Sequence, residues 1–158
     1  MLTAGDFAPQ FSLPDETGCT VTLAGFAGRR VLLYFYPKAF TPGCTTQACD
    51  LRDGYERFRA AGWEIVGISP DPITRLERFR REQHLPFPLL SDADHGVAEA
   101  YGAWGVKKLY GRESRGLIRS TFAVGPDSRL IAVWRNVRAA GHAARIAADL
   151  GLEEVATP

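Results

Sequence analysis

Two uninterrupted apolar runs organise the chain: residues 30–36 (RVLLYFY) and 64–69 (EIVGIS). Each has the length and β-former content of a strand buried on both faces, and Pro37 stops the first. Between them Ala48, Leu51, Tyr55 and Phe58 recur at helical spacing, which predicts one helix over 44–60, ended by Gly62. Residues 72–82 predict an amphipathic helix with Ile73, Leu76 and Phe79 on one face. Its Arg75, Arg78, Arg80 and Arg81, interleaved with Glu77 and Glu82, form a solvent-facing pattern. Short strands are expected at 20–23 and 87–90, and a short helix at about 95–101. The runs 117–124 and 130–134 flank Gly125-Pro126-Asp127 as an antiparallel hairpin, and 139–150 is the closing helix. The order β-α-β-α-β-β-α predicts an α/β fold whose central mixed sheet is parallel in its first half, antiparallel at its end and flanked by helices.

Size and charge narrow this little further. At 158 residues, with no low-complexity tract, repeat or long linker, the chain is expected to form one domain over 1–158. A net charge of +1 supplies no global field toward nucleic acid or an anionic membrane, so neither is expected as a partner. The N-terminal stretch lacks the pattern of a signal peptide and no apolar run approaches membrane-spanning length, which makes the cytoplasm the expected compartment.

Candidate chemistry centres on Cys44 and Cys49; the third cysteine, Cys19, has no evident role. An odd, low count in a cytoplasmic chain points away from a disulfide framework and toward catalytic, metal-binding or incidental thiols. Cys44 follows a buried strand and a Pro/Gly loop, in the first turn of the expected helix. Unpartnered backbone N–H groups and the helix dipole there favour thiolate over thiol. Thr41 offers a hydroxyl toward the sulfur or a bound oxygen, and Pro42 constrains the loop. A cysteine at a helix start can equally be a small buried hydrophobe. Zinc would need four ligands, and Cys19, His84, His95 and His142 show no suitable spacing. Five helical positions separate Cys44 from Cys49, a rise of about 7.5 Å and a turn of roughly 140°. That separation exceeds what a disulfide tolerates, so bonding of the pair would require the first turns to unwind.

The run Y-F-Y-P-K-A-F-T-P-G-C-T-T-Q-A-C-D-L-R-D resembles the active-site segment of peroxiredoxins, most closely the bacterioferritin comigratory protein or peroxiredoxin Q group. The resemblance extends through G-D-x-A-P-x-F-S-L-P, G-I-S-P-D, L-L-S-D, Y-G-A-W-G-V and L-I-R-S-T-F, in that order and over nearly the whole chain. It implies a thioredoxin-like fold and a thiol peroxidase acting on hydroperoxides without metal, haem or flavin. It also implies Cys44 as the peroxidatic cysteine, Pro37 and Thr41 shaping its pocket, Arg119 holding the thiolate, and Cys49 as resolving cysteine of an intrachain disulfide. Thioredoxin or a similar dithiol would be the reductant. Strand alternation through 117–124 sets Arg119 on the face opposite Ile118, Phe122 and Val124. An intrachain partner removes the chemical need for a dimer, so a monomer is expected.

Two other functions fit the residues. A protein-disulfide oxidoreductase would lack its usual C-x-x-C. A redox-sensing module switched by the same disulfide would show no steady-state peroxide consumption. Lys107, Lys108, Arg112 and Arg115 make 107–119 basic, which reads as a solvated Gly-containing loop rather than a nucleic-acid surface. Trp63, Trp104 and Trp134 are expected in the core or at its edge.

Overall fold

The computed structural model describes residues 1–152; residues 153–158 of the expected single domain lie outside them. Strands β1 (Ser12–Pro14) and β2 (Thr20–Thr22) form an antiparallel pair near the N-terminus. β3 (Arg30–Phe35) is followed by α1 (Pro42–Asp53), α2 (Tyr55–Ala60) and β4 (Trp63–Ser69). Then come α3 (Ile73–Gln83), β5 (Leu89–Ser91), α4 (Gly96–Ala100), β6 (Trp104–Leu109) and β7 (Arg112–Leu117). β8 (Ser120–Val124), β9 (Leu130–Trp134) and α5 (His142–Asp149) complete the described chain. The main sheet has the order β5-β4-β3-β8-β9. Its β3–β4 and β4–β5 pairings are parallel, and β3–β8 and β8–β9 are antiparallel.

The apolar run of β3 makes physical sense at the centre of this sheet. Leu32, Tyr34 and Tyr36 face one core with Leu51, Phe58, Leu76, Phe79 and Ile146, beneath α1, α2, α3 and α5. Val31, Leu33 and Phe35 face the other, with Tyr101, Leu117 and Phe122. Alternation in a strand covered on both faces requires apolar residues at every position. Gly67 in β4 permits the Tyr34 ring to lie on the sheet, since a Cβ there would sit 2.9 Å from the ring.

Several expectations are corrected. The single helix over 44–60 starts at Pro42 and is two helices broken at Gly54. The expected strand 117–124 is interrupted at Ile118 and Arg119, so the alternation assigned to Arg119 does not apply. The basic stretch is not an irregular loop: most of it is the antiparallel hairpin β6–β7, turning at Tyr110-Gly111 and separate from the main sheet. The closing helix begins at His142 rather than 139, behind Gly141 at φ +73°. Nor is the α3 arginine pattern uniformly solvent-facing, because Arg75 and Arg80 turn back to buried acids, Asp71 and Glu16. Trp63 and Trp134 are buried, while Trp104 stacks on His95 at the core edge. No described helix is long and apolar enough to cross a membrane.

Candidate active site

The loop leaving β3 is held from behind. Asp71 accepts hydrogen bonds from the Ala39 N–H (2.8 Å) and the Ser69 hydroxyl (2.8 Å), and pairs with Arg75 at 3.2 Å. Arg75 in turn donates to the Ala39 carbonyl at 2.7 Å, so both backbone polar groups of Ala39 are clamped. Phe40 adopts left-handed backbone (φ +67°), unfavourable for a residue with a large side chain. Its ring compensates by packing edge-on to Phe79 at 5.1 Å, with the Arg78 guanidinium 4.5 Å from its centroid. The chain thus enters α1 at a fixed angle.

Thr41 is the extended N-cap and Pro42 the first helical residue, where a missing N–H costs nothing. The Thr41 hydroxyl donates to the Lys38 carbonyl at 2.7 Å, not to the sulfur. Of the two expected acceptors, the sulfur or a bound oxygen, the sulfur is not the one used here: the hydroxyl proton ties the loop to Lys38. Cys44, the third residue of α1, is 1% exposed. Its buried setting leaves a hydrogen-bond partner to be supplied by the protein, and Arg119 supplies it, with Nη2 3.4 Å from Sγ.

Arg119 reaches this position from the two-residue break between β7 and β8. The break is itself fixed, because the Ile118 N–H donates to the Ala103 carbonyl (2.7 Å) and the Arg119 carbonyl accepts from Val137 (3.0 Å). Gly43 leaves room for the guanidinium, since a Cβ there would lie 3.2 Å from Nη2. The other terminal nitrogen, Nη1, hydrogen-bonds Gln47 Oε1. Gln47 is fully buried one turn after Cys44, and the sequence reading passed over it. The signal was available: a polar residue three positions from Cys44, adjoining Ala48 on the inward face of the helix, requires a buried partner.

Pro37 is half-buried and lines, with Val106, Lys107, Ile118, Arg119 and Val137, a cleft of about 560 Å³. Burial and the neighbouring Arg119 charge hold the Lys107 ammonium below the usual lysine range. Beneath Cys44, burial raises Tyr34 well above the ordinary tyrosine range, reinforced by Tyr36 and Cys44, so its ring stays neutral. The structure therefore brings Pro37, Cys44 and Arg119 to one place, with Thr41 at the helix entrance.

Cys49 lies apart from them. It occupies the same unbroken helix as Cys44, half-buried toward α3, with its thiol 3.4 Å from Gln83 Oε1. All three cysteines are free, and Cys19 is exposed just before β2. Among the described residues no three His, Cys, Asp or Glu side chains gather as a metal site. The arrangement sets a buried sulfur nucleophile beside a guanidinium that itself lines the cleft. Such a group attacks an electrophile whose leaving charge falls within reach of the same cation.

Residues 4–133 match the AhpC/TSA family. Over 141 residues the chain is 47% identical to peroxiredoxin Bcp of Escherichia coli K12, an alignment covering 89% of this chain and 90% of that one. Its fold matches that of Xanthomonas campestris peroxiredoxin Q with a TM-score of 0.84 and 37% identity, over 89% of each chain. Peroxidoxin BcpB of Mycobacterium tuberculosis matches with a TM-score of 0.84 and 34% identity, over 96% of this chain and 97% of that one.

Proposed function

This chain belongs to the AhpC/TSA family, among the Bcp and peroxiredoxin Q proteins, and from that premise we propose that Cys44 is its peroxidatic cysteine and Cys49 its resolving cysteine. It is a peroxiredoxin of thioredoxin-like fold, a peroxidase acting on peroxides with a thiol reductant.

The Cys44 thiolate attacks the terminal oxygen of ROOH in line with the O–O bond. A sulfur–oxygen bond forms, the O–O bond breaks, and RO⁻ leaves with the electron pair and takes up a proton to become ROH. Arg119, already on the sulfur, faces the charge as it passes to the departing oxygen, and the N–H groups opening α1 add to that field. Pro37 forms part of the cleft wall, and Thr41 and Pro42 hold the helix start. The product, Cys44 sulfenic acid, then condenses with the Cys49 thiol and releases water. Both cysteines sit on one intact helix, so α1 must open before the bridge forms. Exchange with an external dithiol, thioredoxin or a similar protein, restores both thiols. The two cores on opposite faces of one sheet support a single functional domain, and the intrachain pair supports a monomer.

The observation that carries this reading is the 3.4 Å contact between Arg119 Nη2 and Cys44 Sγ at the cleft. Peroxide loss with thioredoxin, thioredoxin reductase and NADPH tests it. Cys44→Ser should abolish turnover, while Cys49→Ser should allow one round of oxidation and little recycling. Full activity in Cys44→Ser would refute the assignment.

A further inference from the structure

We propose that Gln83, at the end of α3, is a positioning residue for the resolving thiol: a clasp that holds Cys49 in the folded helix and so slows disulfide closure. The proposal rests on the Cys44–Cys49 reading above.

The clasp has two parts. The Cys49 thiol donates to Gln83 Oε1 at 3.4 Å, and Arg52, one turn on, donates from Nη1 to the Gln83 backbone carbonyl at 2.7 Å. One residue of α3 thus receives two residues of α1. The acceptor stands on fixed ground. The helix ends there with His84 in left-handed backbone and the Leu85 N–H returned to the Arg80 carbonyl at 3.0 Å. Arg80 also donates to the Leu85 carbonyl and pairs with the buried Glu16. Phe79, fully buried, seats the same turn in the core.

Cys49, by contrast, must leave. Condensation of Cys44–SOH with Cys49–SH forms one S–S bond and expels water, the sulfenic oxygen leaving with both protons. It proceeds only after α1 unwinds and the thiol turns from α3 toward Cys44. The Cys49–Gln83 hydrogen bond exists in the folded helix and is lost in the opened one, so it weights the equilibrium toward the folded form. Time spent folded with Cys44 as sulfenic acid is time open to a second peroxide, which yields sulfinic acid. Gln83 would therefore set how much peroxide the enzyme tolerates before inactivation.

The test follows disulfide closure by rapid mixing and sulfinic acid at Cys44 by mass spectrometry after graded peroxide. For Gln83→Ala, closure should quicken and sulfinic yield should fall by about three- to tenfold, the weight of one hydrogen bond in such an equilibrium. The rate of the first oxidation at Cys44 should not change. Gln83→Glu retains the acceptor oxygen and should close no faster than the native protein, a contrast that general loosening of α3 would not produce. Closure in Gln83→Ala that is unchanged or slower, with the 44–49 bridge still forming, would overturn the clasp alone. If Gln83→Ala does not fold, faster closure in Gln83→Glu than in the native protein would overturn it. Absence of any 44–49 bridge in the native protein would defeat the disulfide reading itself and the clasp with it.

Discussion

Asp50 of α1 reaches across to α5, its Oδ2 accepting a hydrogen bond from the Ala143 N–H at 2.8 Å. Helix α5 begins behind Gly141 with no capping side chain of its own, so the cap comes from the helix that carries both reactive cysteines. Replacing Asp50 with Ala should cost about 1 kcal/mol of stability, the usual worth of a helix cap, read as a lowered melting temperature. Because unwinding α1 would also remove this cap, the amides at the start of α5 should exchange faster in the disulfide form than in the reduced form. Equal exchange in both forms would show that the unwinding stops short of Asp50.

Arg119 touches both the sulfur and Gln47, and a point charge cannot replace that fork. Arg119→Ala should slow Cys44 oxidation by about 10²- to 10³-fold, the loss typical of one preorganised charge-stabilising group. Arg119→Lys should recover only part of the rate. Single-turnover oxidation measured by stopped flow is the readout, since recycling does not enter it.

Gln47 acts through Arg119. Its Oε1 orients the guanidinium, while its Nε2 is buried without a partner among the described residues. Gln47→Leu should remove an imperfectly satisfied amide at little net cost to stability, yet slow Cys44 oxidation by about tenfold or more as Arg119 loses its anchor. A large drop in melting temperature with an unchanged rate would show that Gln47 serves the core instead.

His142 is buried at the start of α5, 2.7 Å from the Thr121 hydroxyl. Burial, with the Arg119 and Arg145 charges, pushes its pKa down to about 4. The unfolded chain takes up this proton near pH 6.5 and the native protein only near pH 4. Between those values the unfolded state binds more protons, so the contribution is fully present above about pH 6.5 and is lost as pH falls toward 4. Its full size is on the order of 3 kcal/mol. Urea unfolding at pH 7 and pH 4.5 should show the decline, and His142→Gln should flatten it.

Much of this was legible in the chain itself. The run 30–36 identified a central strand because apolar residues at consecutive positions fit only a sheet covered on both faces. Cys44 was recognisable because Pro42 and the preceding Pro/Gly loop mark a helix start. The hairpin β6–β7 was missed because its lysines and arginines obscure strand alternation on a ribbon that packs little. The break at Gly54 was missed because Tyr55 and Phe58 carry the apolar helical spacing straight across that glycine.

What the sequence determined by itself is local: where strands and helices run, and which thiol opens a helix, since backbone hydrogen bonding and side-chain periodicity act over a few residues. Family resemblance pointed to Arg119 beside that thiol, but neither spacing nor periodicity did, and only the tertiary structure brought in Gln47, Gln83 and the Asp50 cap. Arg119 arrives from 75 positions away, Gln83 faces Cys49 across 34, and Asp50 caps a helix 93 positions on. Such contacts follow from how the sheet stacks its covering helices, and packing in three dimensions leaves no periodic trace along the chain.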